Sequence, residues 1–164
     1  MDSGRESPVK TTLIPLTFHN RNVLKVLVDR CFPITYTDNF YEKVAILYKD
    51  FVQYIAIKDV IVGAVLCRLE EDKETKESYI HLMVILVLEK YRRLRIANKL
   101  MDYVYKQARE KHKDIKTIRL HVQKANQGAV NFYKKHGFEV VNEIEKYYDL
   151  KESAALEMRK NLHN

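Results

Sequence analysis

The chain has 164 residues and a mass of 19.5 kDa, the length of one ordinary domain with enough residues to bury a core. Hydrophobic residues at 46% and charged residues at 31% exclude wholesale disorder, and no apolar run approaches the ~20 residues of a membrane-spanning helix. Two cysteines, Cys31 and Cys67, are too few for a disulfide framework or a four-cysteine zinc site. The formal charge of +7 favours polyanionic partners, although most basic residues are scattered and only Arg92-Arg93-Leu94-Arg95 forms a compact cluster. The first ten residues are polar, and a flexible segment 1–10 followed by a single domain 11–164 is expected. With no secretory-type apolar stretch there, a reduced, cytoplasmic or nuclear protein is expected.

Leu13–Phe18 reads as a first strand. Asn20 is a candidate cap for a helix through Cys31, in which Val23, Leu24, Leu27, Val28 and Cys31 recur at helical spacing. Phe32-Pro33 stops it, because proline brings no N–H for the next turn. Asp38 is the expected cap of a second helix, Asn39–Leu47. Three extended stretches follow, Phe51–Ile57, Val60–Leu69 and Tyr79–Leu88, and the charged run Glu70–Glu77 predicts an exposed loop tip within this antiparallel meander. From Leu94 to His112 the apolar residues Ile96, Ala97, Leu100, Met101, Val104 and Ala108 shift to spacings of three and four, one face of a long helix. Thr117–Val122 is a short strand, and Ala125–His136 is a helix closed by Gly137. Phe138–Tyr148 and Ala154–Lys160 complete the list. The expected class is α+β: one domain with a mixed, mostly antiparallel twisted sheet of about seven strands and helices on both faces.

Two constellations carry chemistry. The first is a strand ending at Val87-Leu88, then a basic turn, then a long helix. A helix start offers unbonded N–H groups and a partial positive charge, so phosphates bind there. Arg92, Arg93 and Arg95 oppose the helix dipole at that end, a local conflict that an anion would relieve. The second is Leu120-His121-Val122-Gln123 with Asn126, Asn131-Phe132-Tyr133 and Gly137-Phe138. Here an imidazole at a strand end, an amide and a phenol two helical turns beyond the amide face a common region.

These residues resemble the GNAT superfamily of N-acetyltransferases. Arg92-Arg93-Leu94-Arg95-Ile96-Ala97 is similar to its pyrophosphate-binding turn, Arg/Gln-x-x-Gly-x-Gly/Ala, and Asn126 with Ala129–Phe138 is similar to its second cofactor motif. Phe32-Pro33-Ile34-Thr35-Tyr36, Val62–Arg68, the pair Tyr147-Tyr148 and the stretch Leu156–Leu162 further resemble the protein N-terminal acetyltransferases of the NatE type within it. The resemblance implies acetyl-CoA as cofactor, bound by Ile85, Leu86, Val87, Arg92, Arg93, Leu94, Arg95, Ile96, Ala97, Asn98, Asn126 and Tyr133. It implies His121 as a general base acting through water and Tyr133 as a proton donor to the leaving thiolate. It also implies that Phe32, Pro33, Ile34, Tyr36, Met83, Tyr147 and Tyr148 grip a peptide that begins with Met and a hydrophobic residue. Association with the NatA complex and the ribosome follows from the same resemblance. No metal site or membrane span is expected, nor nucleic-acid binding as the main role.

The chain departs from the family pattern at three places. Arg95 stands where the family has its first glycine, and it either blocks the approach of the pyrophosphate or pairs with it. The fourth-strand catalytic tyrosine is replaced: His81 aligns when counted back from Tyr91, and Tyr79 when counted forward from Arg68. His81 is preferred, since a charged loop absorbs extra residues more easily than a strand, and a two-residue offset keeps both side chains on one face. Leu86 stands where a small residue is common, which bears on the bulge that exposes the backbone of this strand. An internal lysine or small amine as acceptor, and a degenerate fold acting as a scaffold subunit, are the alternative readings.

Overall fold

The computed structural model describes residues 8–145 and 154–163. Seven strands form one sheet in the order β1-β2-β3-β4-β5-β7-β6. They are β1 (Thr12–Pro15), β2 (Val52–Ile57), β3 (Val60–Glu71), β4 (Ser78–Val87), β5 (Thr117–Gln123), β6 (Glu139–Ile144) and β7 (Ala155–Asn161). Four α-helices accompany them: α1 (Arg21–Cys31), α2 (Asp38–Leu47), α3 (Ile96–Lys111) and α4 (Gln127–Lys135). β4 and β5 run parallel, whereas β1–β2, β2–β3, β5–β7 and β6–β7 are antiparallel. The expected mostly antiparallel α+β fold with seven strands is therefore the fold observed.

By compactness the chain divides into one unit of residues 1–66 and 84–107 and a second of residues 67–83 and 108–164. The first unit is organised around Leu24, Val28, Val44, Phe51, Ile55, Leu66, Leu100 and Met101, all 2% exposed or less. Here α1 is capped from within the sheet. Tyr54 on β2 is fully buried, its hydroxyl donates to the Asn20 carbonyl at 2.8 Å, and it accepts the Leu24 N–H at 3.0 Å. That satisfies one of the four N–H groups a helix start leaves unbonded. Asn20 was the expected side-chain cap, but its amide faces the preceding turn instead, accepting from Thr17 N–H at 2.7 Å and donating to the Pro15 carbonyl at 3.1 Å. In α2 the cap is Thr37, whose Oγ1 accepts the Phe40 N–H, and Asp38 is the first helical residue rather than the cap. An acidic residue in that first turn still suits the dipole.

The second unit is built on the alternation of β5, in which Ile118, Leu120 and Val122 are buried and Arg119, His121 and Gln123 are half-buried. Ile80 and Leu82 on β4 and Met158 on β7 pair with it and are buried, as is Phe138. The expected strand end at Leu69 and loop from Glu70 are corrected here: β3 continues to Glu71, and the connection is the tight turn that follows. Asp72 organises it, with its Oδ1 accepting the Glu74 and Thr75 N–H groups at 2.9 and 3.0 Å. An Asx turn of this kind shortens the loop and returns Glu70 to the sheet. Other boundaries shift by a few residues; β1 ends at Pro15, and α3 begins at Ile96 rather than Leu94. Of the segment 1–10, residues 1–7 lie outside the described residues, and the Val9 carbonyl accepts the Lys99 ammonium at 3.1 Å.

Two buried tyrosines of the first unit make opposite predictions. Tyr54→Phe strands the Leu24 N–H and the Asn20 carbonyl, and stability should fall by about 1–3 kcal/mol in urea unfolding. The Tyr41 hydroxyl, 2% exposed as a residue, has no hydrogen-bond partner among the described residues, so Tyr41→Phe should leave stability unchanged or raise it.

Candidate active site

The second unit carries a polar layer on one face of the sheet. Strand periodicity puts Arg68 and Glu70 of β3, Tyr79, His81 and Met83 of β4, and Arg119 and His121 of β5 at half-buried positions. Glu70 is the hub. Its Oε2 accepts the Tyr79 hydroxyl at 2.7 Å, its Oε1 lies 3.1 Å from His81 Nδ1, and the Arg68 Nε–H also donates to Oε1. Burial works against this carboxylate's charge, but hydrogen bonds from Tyr79 and His81, with the nearby charges of His81 and Arg68, outweigh it and hold the pKa down at about 2. Tyr79 is pushed the other way, up to about 12, by burial and by its bond to the Glu70 anion.

His81 and His121 meet edge to face, with ring centroids 5.7 Å apart and planes at 80°. Burial, and then the charge of His81, push the His121 imidazole below its ordinary value, while Glu157 and Glu70 act in the opposite sense. Glu157 stands directly across from His121 in the β5–β7 register and accepts from Arg159 at 3.0 Å. Further along the layer the Arg119 guanidinium lies over the Tyr79 ring, 4.0 Å from its centroid, and donates to Asp72 Oδ2 at 2.7 Å. The layer is a hydrogen-bonded set of charges in which one imidazole, His121, favours its neutral form.

The two residues that compete for the fourth-strand catalytic place thus have different surroundings. The Tyr79 phenol is spent on Glu70, and its raised pKa makes it a poor base near neutral pH. His81 shares Glu70 and is also beside His121. The side chains of Glu70, Asp72, Arg119 and Glu157 did not emerge from the sequence reading. A signal for Glu70 was present: Arg68 and Glu70 flank Leu69 with the alternation of a strand.

At α4, Asn126 is the N-cap, and its Oδ1 accepts the Ala129 N–H at 3.2 Å. Its side-chain N–H₂ is the part that can meet a ligand. Tyr133 is 9% exposed, with Phe132 and Phe138 against its ring at centroid distances of 5.3 and 5.6 Å.

In the first unit, β4 ends at Val87 and a turn through Arg92, Arg93, Leu94 and Arg95 enters α3, with Arg92 donating to the Val87 carbonyl at 3.1 Å. Arg93 and Arg95 both hold left-handed backbone, at φ +66° and +59°. Such conformations cost a non-glycine residue roughly 1–2 kcal/mol each. Alternating handedness of this kind turns successive N–H groups into an anion-binding hollow, and the start of α3 adds its own. Ile85, Ala97 and Asn98 are half-buried, Leu86, Val87 and Ile96 are buried, and Leu94 is exposed. Ahead of α2, Phe32, Pro33 and Ile34 are exposed, and Tyr36 stacks on Phe40 at 4.3 Å. Tyr147 and Tyr148 lie outside the described residues.

A family model described as the acetyltransferase (GNAT) family matches residues 22–138. The chain belongs to the GNAT family. It is 38% identical over 133 residues to the probable N-acetyltransferase san of Drosophila melanogaster, covering 81% of this chain and 70% of that protein. It is 37% identical to N-alpha-acetyltransferase 50 of Danio rerio over 133 residues, covering 81% and 77%. Among solved structures it is similar to Arabidopsis thaliana Naa50 in complex with the bisubstrate analogue CoA-Ac-MVNAL. That match has a TM-score of 0.82 and 31% identity, and covers 93% of this chain and 99% of that one. GNAT enzymes use acetyl-CoA, and among the described residues no helix is long and apolar enough to cross a membrane.

The Glu70 network has a pH signature. A carboxylate held at about 2 in the folded chain and near 4.5 when unfolded contributes stability that is complete above the unfolded value and lost as pH falls through the folded one. Asp72 is lowered as well, by bonds from the Thr75 N–H, Arg119 and the Glu74 N–H, and acts in the same sense. Unfolding free energy measured from pH 6 downward should therefore fall below about 4.5, and Glu70→Gln should flatten that slope.

Proposed function

We propose that the protein is an acetyl-CoA-dependent N-alpha-acetyltransferase that acts on peptide amino termini beginning with Met and a hydrophobic residue. The observation that carries this reading is the His81–His121 pair, held in a charged layer in a chain 37–38% identical to N-alpha-acetyltransferases over most of its length. Peptide amino termini as a class follow from that kinship; the Met-hydrophobic preference rests on the MVNAL peptide of the Arabidopsis analogue and on the exposed apolar Phe32 and Ile34.

The turn at Arg92–Arg95 fits a pyrophosphate. Arg95 already has the left-handed backbone that the family glycine would supply, so the N–H directions of the turn survive the substitution, and its guanidinium adds a cation. Bound acetyl-CoA supplies an acyl group activated as a thioester. The residues of the chain manage the proton. A peptide α-ammonium, with a reference pKa near 7.7–8.0, must lose one before its nitrogen can attack, and a weak base relaying through water suffices. His121, favoured in its neutral form, and His81 beside it form that base, and the proton comes to rest on the imidazole pair. We assign the Tyr133 hydroxyl as the donor that returns a proton to the departing sulfur, and the Asn126 amide as a cofactor contact. Contact with the NatA complex and the ribosome, in the cytoplasm or nucleus, extends the same reading and is supported by the +7 charge.

Purified protein with acetyl-CoA should acetylate a Met-Leu peptide in preference to a peptide whose only amine is an internal lysine. His121→Ala should lower kcat about 100-fold. Modification of the lysine peptide alone would point to the internal-lysine reading, and modification of neither to a scaffold role. The strained turn makes a separate prediction: Arg95→Gly should raise the melting temperature by relieving the left-handed strain, and should weaken acetyl-CoA binding about 3- to 10-fold through loss of the cation. Calorimetric titration measures the second effect.

A further inference from the structure

We infer that Glu70 is a positioning residue that fixes the tautomer of His81, holding a proton on Nδ1 and leaving the lone pair on Nε2 to take the substrate's proton. The inference rests on the reading of His81 as part of the base.

An ionised carboxylate only accepts hydrogen bonds. Glu70 is ionised throughout the working range, so the 3.1 Å contact with His81 Nδ1 requires the hydrogen to sit on that nitrogen. A neutral imidazole has one N–H, and with Nδ1 occupied the acceptor is Nε2. Free histidine prefers the other tautomer, so the carboxylate must impose this one. The carboxylate is itself anchored: Tyr79 binds Oε2, and Arg68 shares Oε1 with His81. Side-chain exposures of 16% for His81 and 25% for Glu70 mean that water competes only weakly for the bond. The pair has the logic of a carboxylate that orients a catalytic histidine and stabilises the imidazolium that forms.

In the proposed step the substrate ammonium loses one proton, which passes through water to His81 Nε2. The nitrogen lone pair so released forms the new bond to the acyl carbon while the thioester C–S bond breaks with its electrons passing to sulfur; the thiolate takes a proton from the Tyr133 hydroxyl, and the surplus proton of the acylated nitrogen replaces it on Tyr133 through water. The imidazolium has both nitrogens protonated beside the Glu70 anion, and it later gives its proton to solvent. The groups facing His81 are Glu70 and Arg68 from β3, Tyr79 from the same strand, and His121 and Arg119 from β5, with Glu157 of β7 opposite His121. Glu70 also favours the charged form of His121. Removing its charge therefore shifts protonation of His121 to lower pH.

The test has an arm that needs no turnover. Two-bond ¹H–¹⁵N spectra of imidazole-labelled wild-type protein, recorded on the alkaline side of the histidine titration, report which nitrogen of His81 carries the proton. The Nδ1–H form is expected to dominate, and Glu70→Gln to move the population toward Nε2–H. A dominant Nε2–H form in the wild type would overturn the proposal. In steady-state assays Glu70→Gln should lower kcat about 10- to 100-fold with peptide KM within about twofold, and move the acidic limb of the kcat/KM profile to lower pH. An unchanged kcat and an unmoved limb, in a variant that melts cooperatively, would equally overturn it. His81→Phe separates this proposal from the reading beneath it. If His81→Phe retains the wild-type kcat and pH profile, His81 is not part of the base. If it is inactive while Glu70→Gln leaves kcat, pH limb and tautomer unchanged, the base reading stands and the role of Glu70 falls.

Discussion

Strand periodicity is the constraint on which the site depends. Along β4 and β5 every second residue is apolar and buried, Ile80 and Leu82 on one strand and Ile118 and Leu120 on the other. The residues between them must share the opposite face, and they are Tyr79, His81, Arg119 and His121. A one-residue slip would bring isoleucine and leucine to the polar layer and carry four polar groups into the core. The hydrophobic burial that specifies the sheet register therefore also fixes which side chains meet above it. The parallel register is only three residues long, Ile80–Leu82 against Ile118–Leu120, and those are the residues that set His81 diagonally beside His121.

Within that layer the electrostatics reinforce one another. Charges this poorly hydrated persist only when paired, and each cation or donor in the cluster has an acidic partner: Arg68, Tyr79 and His81 on Glu70, Arg119 on Asp72, and Arg159 on Glu157. A catalytic base needs the reverse of a fully compensated environment, because it must release as well as accept a proton. His121 has surroundings of that kind, as the proposed base role requires: burial and the neighbouring imidazole lower its affinity for a proton, while the two carboxylates limit how far it falls.

Much of this was legible in the sequence. The order of elements follows from the change from the short continuous apolar run Val60–Cys67 to helical spacing in Leu94–His112, His121 stands out by its place at a strand end beside Asn126, and His81 is marked only by the family resemblance. Glu70 was hidden for a physical reason. It opens a run of charged and polar residues ending at Glu77, and such a run reads as solvated loop whether or not its first residue lies in a strand. Only the cross-strand partners Tyr79 and His81, together with the Asp72 turn, tell a loop charge from a strand charge, and these depend on pairing, not composition. The capping of α1 was hidden in the same way. Asn20 has the right chemistry at the right place, but Tyr54, 34 residues away on β2, reaches the helix end from inside the core.

The turn ahead of α3 makes the complementary point, because there sequence reasoning raised a difficulty that the backbone resolves. An arginine in place of a glycine implies either a blocked hollow or a changed conformation. Arg95 instead keeps the conformation, and Arg93 two residues earlier holds a similar one. Neither residue type favours left-handed backbone, so the turn is held by what flanks it. On one side Arg92 is tied to the Val87 carbonyl; on the other α3 begins at once, with the Lys99 N–H bonded to the Arg95 carbonyl and Ile96 buried. A local preference that loses to its surroundings at one position is unremarkable, but two such losses in three residues, both by arginines at a helix start, mark a conformation kept for use. Retained backbone strain together with three clustered arginines is what a turn selected to hold a polyanion would show. The departure at Arg95 thus supports cofactor binding by this chain and weighs against a degenerate fold.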